Sequence, residues 1–428
     1  MFLVYFMFGF LSAAFGKSIE IQPAISDQDE EFEMAANKLQ PGDELVLHSG
    51  TYSQNGRRAV IAKGTAEHPI VIRAADKETV ILTRPIENRD RQNNIEFVDC
   101  AFLIVRGLHF KGGSSGVRFI RGHHVTFEDC EIFETTNNAL TMNSGNCDSF
   151  IIRRNHIHHT GLATDRATEG EGMYIGCHDG SCRTGDSLIE GNYIHHTRGT
   201  SSGGNDGIEI KAGSFGNIVR NNVIHDTNIG TKYPGVFVYG GGPTPNIVEG
   251  NAIWNAGDGI QVVSDAIVRN NIIFNCLNTG INAAPHGAMP NLRNTTIVNN
   301  TIYNAPVGVR MRWADSTNMI FANNAIYCPA GTALNANSGS ATLRNNFVFG
   351  SLDAKNDLER ADPSIAFVDA GATNFFPTSG SPLRGKADAN YTPELDFNGD
   401  KRSVPSAIGA YGGNAKPGWK IQPGFKTP

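Results

Sequence analysis

Charge is scarce in this chain. Only 18% of its 428 residues are Asp, Glu, Lys or Arg, the formal net charge is −6, and the basic residues never gather into a run. Nucleic acid binding rests on clustered Lys and Arg against phosphates, so no nucleic acid is expected as a partner. Cysteine is also short: Cys100, Cys130, Cys147, Cys177, Cys182, Cys276 and Cys328 are too few for a disulfide scaffold, and the odd count leaves at least one thiol unpaired. Most of them read as small apolar residues. Cys177 and Cys182 share one turn and either close a small loop or offer a partner to Cys147, while a zinc site would need a second ligand pair that the spacing lacks. Long apolar runs are missing beyond the start, MFLVYFMFGFLSAAFG. This stretch has no basic n-region and is too short to span a bilayer, but Ala14 and Gly16 stand where a signal peptidase would cut. Residues 1–16 are therefore expected to direct secretion, to the medium, the periplasm or the cell surface, with no stable membrane insertion.

Helical periodicity is absent from about Ile95 to Asn346, and repetition stands in its place. The segments Asn205–Thr227, Pro234–Ala256, Asp258–Cys276, Thr279–Ala305 and Val307–Gly331 each carry a Gly, a short alternating apolar run, a variable loop and an Asn-centred strand. No such unit can bury its apolar face alone, so the units must stack, and the pattern predicts an all-β, right-handed parallel β-helix of about ten coils. Alternation sends Ile208 and Ile210, Val236 and Val238, Ile260 and Val262, and Val309 and Met311 inward. It sends Glu209, Lys211, Phe237, Tyr239, Gln261, Arg310 and Arg312 outward. Asn221, Asn222, Asn270, Asn271, Asn299, Asn300, Asn323 and Asn324 mark corners, where asparagine tolerates left-handed backbone and can bond its stacked copy.

Residues 17–68 are predicted to form an N-terminal cap and the first strands, residues 69–350 the β-helix, and residues 351–428 a turn-rich extension along the last coils, ending in a mobile tail. The cap includes a short helix over EEFEMAANKL, with Phe32, Ala35, Ala36 and Leu39 on one face and Ser26 and Asp29 as a capping box. Histidines recur as His156, His158 and His159, then His195 and His196, then His225. Stacking at equivalent turns accounts for them, with a transition-metal site between coils as the alternative.

Three long loops, Gly161–Gly172, Arg198–Asn205 and Asn228–Gly235, enter one strand column from the same side. Rigid coils have no need of them, so they point to a cleft over Tyr174, Glu209, Lys211 and Tyr239. The outward column mixes ring faces (Tyr174, Phe237, Tyr239) with amides and cations (Gln261, Asn282, Arg310, Arg312), which suits an anionic polysaccharide. Lys211 and Tyr239 are candidates for base and acid, and His178 is a second proton-transfer candidate. Asp206, Glu209 and Glu171 offer hard oxygen ligands for Ca²⁺. Glu209 and Lys211 also read as a plain surface ion pair, and Tyr239 as a stacking surface. A monomer is expected.

The run LQPGDELVLHSGTY, with GTAEHPIVIRA and FLIVRGLHF after it, resembles the N-terminal region of the alginate lyase and chondroitinase B family of polysaccharide lyases. The span from about Leu39 to Gly350 resembles the wider pectin-lyase-like β-helix superfamily. The family resemblance implies β-elimination on a uronic-acid polymer, with Ca²⁺ neutralising the sugar carboxylate, a lysine as base and an arginine as acid. NDGIEIKAGSFGNIVRNN resembles the coil that carries the calcium ligands and the lysine, yet Gly213 stands at the lysine position and Tyr239 at the arginine position. Asp206 keeps an acidic position, and Glu209 is displaced by one residue. A glycoside hydrolase using Asp206, Glu209, Glu171 and Asp179 is the second reading, and a non-catalytic glycan-binding β-helix the third.

Overall fold

The computed structural model describes residues 16–24, 30–54, 56–84, 92–164, 167–200, 204–287, 292–337, 339–353, 363–413 and 418–427. The expected leader and the capping box of Ser26 and Asp29 fall almost wholly outside them. Among the described residues no helix is long and apolar enough to cross a membrane.

The chain is an all-parallel solenoid of about twelve turns, against the ten expected. Its first sheet stacks strands at Ala59–Val60, Ile95–Arg106, Val117–Glu128, Leu140–Met142, Met173–Ile175, Ile208–Ile210, Val236–Val238, Asp258–Val262, Thr279–Ala283 and Val307–Arg312, and closes on Ala325–Asn337 and Phe347–Asp353. The N-terminal turns lack the Asn signature, whereas the last coil keeps it at Asn345 and Asn346. Second and third sheets complete each coil. The second begins with Ser18–Ile21 paired to Glu44–Leu47, and the third runs from Gly50–Ser53 through Phe347. A six-residue helix, Glu31–Ala36, buries Phe32 and Ala36 at the N-terminal end; its N-cap is Glu30, without a side-chain cap.

The inward column is as the alternation requires. Ile208, Val236, Ile260, Ile281, Val309 and Leu334 follow one another in register, all fully buried. Cutting one of them to Ala would cost about 2–5 kcal/mol.

Asparagine does two jobs at the corners. The first of each pair takes the left-handed backbone, with φ of 56° at Asn221, 56° at Asn270, 55° at Asn299 and 58° at Asn323. The second joins a buried ladder, in which the amides of Asn155, Asn192, Asn222, Asn251, Asn271, Asn300 and Asn324 each donate to the next, ending at Asn346. Neighbouring coils are thereby locked in register, since a slip would leave every buried amide unpaired.

The third sheet presents rings outward in one column: Phe133, His158, His195, His225, Trp254, Phe274, Tyr303, Tyr327 and Phe349. His195 stacks on His225 at 5.1 Å and His225 on Trp254 at 4.5 Å. The C-terminal extension packs on the later part of this column through Phe367, Phe375, Phe397 and Trp419. The tail is docked where mobility was expected. The Lys426 ammonium donates to Asn221 Oδ1 and to the Gly250 and Phe397 carbonyls, 3.6 Å from the Phe397 ring centre.

Candidate active site

Register aligns one outward column on the first sheet, Arg118, Thr141, Tyr174, Glu209, Phe237, Gln261, Asn282 and Arg310. A second column, at the entry of the same strands, holds Glu171, Asp206 and Asp258, because the backbone of each Gly-led strand bonds the carbonyl before the next. The long loops end here: Gly161–Gly172 delivers Glu171, and Arg198–Asn205 delivers Asp206.

The result is a tight acidic cluster. Ligand oxygens of Glu171, Asp206 and Glu209 all lie within 4.8 Å of one another, and all three residues are buried. A Cβ at position 204 would meet Glu171 Oε1 at 2.5 Å and Asp206 Oδ2 at 3.2 Å, so Gly204 gives the carboxylates room to converge. Burial, followed by repulsion from Glu209, pushes the Glu171 and Asp206 carboxyls well above their ordinary range.

Lys211 closes the cluster from the far end of its strand. Its ammonium donates to Glu209 Oε1 and lies 4.3 Å from the Tyr174 ring centre and 5.1 Å from that of Tyr239. The Tyr239 hydroxyl donates to the same Glu209 oxygen at 3.1 Å. Burial, then the Glu209 charge, hold the Tyr174 and Tyr239 phenols above their ordinary range, so both keep their protons at neutral pH. The surface ion pair expected for Glu209 and Lys211 is therefore a correction: the side chains point away from the lumen, but loops and rings bury them to 3% and 4% exposure.

The other expected residues lie around this centre. Phe237 stacks on Tyr239 at 4.2 Å. Gln261, Asn282 and Arg310 continue the column, half-buried, and the Asn282 amide donates to Asp258 Oδ2 at 2.9 Å. Arg312 is exposed and donates to Asn335 Oδ1, four rungs beyond Lys211. His178 is exposed on the small loop that the Cys177–Cys182 disulfide closes, close enough for its charge to act on His286; Cys147 is a buried free thiol. Two residues escape the sequence pattern. His286 arrives from the loop after Ala283 and packs edge-on against Tyr239 at 4.8 Å and Phe237 at 5.4 Å, and burial lowers its pKa. Arg118 lies in the column two rungs before Tyr174, which only a register count from a coil without the Asn signature could have found.

The residues present suit a hard divalent cation. Asp206 Oδ1 and Glu209 Oε2 are buried with no hydrogen-bond partner, and the donor set is oxygen only. Arranged this way, the site can hold positive charge at one point with a phenol and an ammonium beside it.

Comparison with known proteins gives the same fold. A right-handed β-helix region matches residues 170–348, and chondroitinase B matches residues 26–143. None of the curated protein sequences matches significantly. An alginate lyase from Paenibacillus sp. str. FPU-7 superposes with a TM-score of 0.53 at 21% identity, covering 79% of this chain and 99% of that one. A pectate lyase gives 0.54 at 15% identity, with 94% and 97% covered. The A-module of an Azotobacter vinelandii mannuronan C-5 epimerase gives 0.56 at 16% identity, with 78% and 93% covered. At these identities the likeness is one of fold.

Proposed function

We propose that this protein is a secreted, monomeric polysaccharide lyase that cleaves a uronic-acid-containing polymer by β-elimination. The observation that carries the reading is the convergence of Lys211, Tyr239 and the carboxylates of Glu171, Asp206 and Glu209 from three successive coils under one outward column.

β-Elimination at a uronate needs positive charge on the carboxylate, a base for the α-proton and an acid for the leaving oxygen. A Ca²⁺ ion held by Glu171, Asp206 and Glu209 would supply the charge that makes the α-proton acidic. Lys211 is the group placed to take that proton. Tyr239, a phenol that keeps its proton at neutral pH, gives it to the departing glycosidic oxygen as the carbon–oxygen bond breaks and the ring double bond forms. The rings of Tyr174 and Phe237 seat the sugar. Gln261, Asn282, Arg310 and Arg312 hold units farther along, and His178 is a solvent-side relay.

An inverting hydrolase fits less well. Its two carboxyls stand about 6.5–9.5 Å apart to admit water, whereas the oxygens of Glu171, Asp206 and Glu209 crowd within 4.8 Å and Asp179 is turned to Ser181 on an exposed loop.

The test is a panel of alginate, pectate, glucuronan and glycosaminoglycans, assayed with Ca²⁺ and then with chelator. Unsaturated products from one polymer, lost with chelator, are expected. Lys211→Ala and Tyr239→Phe should each lower turnover about a hundredfold to ten-thousandfold, the usual loss of a positioned base or acid. Full activity in both variants would move the reaction centre elsewhere.

A further inference from the structure

A second ligand set lies on the third sheet, away from the acidic cluster. Register stacks His109, Glu131 and His156 directly over one another on three successive coils, and His158 sits two residues beyond His156 on the same face. Their nitrogens converge on one carboxylate. His109 Nδ1 lies 2.6 Å from Glu131 Oε2, and His156 Nδ1 and His158 Nε2 each lie 3.1 Å from Glu131 Oε1. The four side chains are 15–35% exposed, so an ion in solvent can reach them.

We propose that Glu131, His156 and His158, whose ligand atoms all lie within 4.8 Å of one another, bind one first-row transition-metal ion, zinc(II) or a metal of like preference, across two coils, with His109 holding the other oxygen of Glu131. Two imidazoles and a carboxylate, with a position left for water, are the borderline donor set that such ions favour over Ca²⁺. The outer shell is already built. With His156 Nδ1 on the metal, its Nε2–H points at His195 Nε2, 2.9 Å away. With His158 Nε2 on the metal, its Nδ1–H points at His159 Nδ1, 2.7 Å away. Metal-bound imidazoles need such acceptors to fix the tautomer. The same imidazoles can instead give their protons to Glu131 with no metal present, so the proposal turns on whether an ion displaces those protons.

The experiment uses the tag-free full chain, stripped with chelator and dialysed, then titrated with zinc(II) by calorimetry. One equivalent should bind. His156→Gln, His158→Gln and Glu131→Gln should each weaken binding about a hundredfold, the upper end of what even outer-shell partners contribute, while His123→Gln on another sheet should change nothing. Electron paramagnetic resonance of the copper(II)-loaded wild type needs no variant and should show coupling to imidazole nitrogen. The proposal is overturned if no stoichiometric zinc binds, if copper shows no nitrogen coupling, or if a folded His156→Gln/His158→Gln double variant binds zinc as tightly as the wild type.

Discussion

Replacing Glu171 by Gln should stabilise the metal-free protein at neutral pH, although the side chain is fully buried. With oxygens within 4.8 Å, each carboxylate pair repels by about 3 kcal/mol at an effective dielectric near 20. Glu209 is the chief such partner of Glu171, because Asp206 is itself held toward its protonated form, and attraction to Lys211 is the weaker effect. The chain can also escape by protonating Glu171, which from its ordinary value of 4.5 costs about 3.4 kcal/mol at pH 7. Both routes give about 3 kcal/mol as the penalty that Glu171→Gln removes. The pH dependence follows from the raised carboxyls. Folded Glu171 and Asp206 keep protons that the unfolded chain has released, so stability is fully present below the ordinary values of 4.5 and 3.8 and is lost as pH rises through the folded ones. Urea midpoints in chelator should therefore fall from mildly acid to neutral pH in the wild type, and fall less in Glu171→Gln. Added Ca²⁺ should raise the wild-type midpoint and barely move that of the variant. A variant less stable than wild type by more than about 1 kcal/mol in chelator at neutral pH would refute the electrostatic reasoning.

Asn251→Ala removes the acceptor of the Asn222 N–H and amide, at 2.9 and 3.0 Å, and the donor to Val219 O and Asn271 Oδ1; a loss of about 3 kcal/mol is expected, and under about 1 kcal/mol by urea unfolding would mean that the ladder does not hold register. Lys426→Met keeps the stem but strips three part-buried acceptors of their donor, so the tail should become open to limited proteolysis, and unchanged digestion would contradict the docking described. Arg310→Ala should raise KM for long chains about tenfold, the value of one charge-assisted hydrogen bond, with short oligomers unaffected in steady-state kinetics.

Much of the fold could be read directly because β-helix coils repeat two short-range signals, strand alternation and corner asparagine. Ile208 and Val309 declare their direction within three residues of sequence. The site is only partly of this kind. That Glu171, Asp206 and Glu209 meet follows from loops ending at one column, which the sequence shows. Their burial, and that of Lys211, comes from lateral packing by Tyr174, Tyr239 and loop backbone, which no periodicity encodes. His286 reaches Tyr239 from a loop after a later strand, and Glu131 and His109 sit in coils without the histidine signature; only register brings them to His156. The docked tail had no pattern of its own, because its partner is the ring column that the coils build together.

The most direct test of the elimination chemistry is the oxygen content of the products. The cleaved polymer should be digested in water enriched in the heavy oxygen isotope and its fragments weighed by mass spectrometry. Elimination through Lys211 and Tyr239 predicts unsaturated ends that carry no label from solvent. One heavy oxygen per cleavage, with saturated ends, would contradict the account and make the protein a hydrolase.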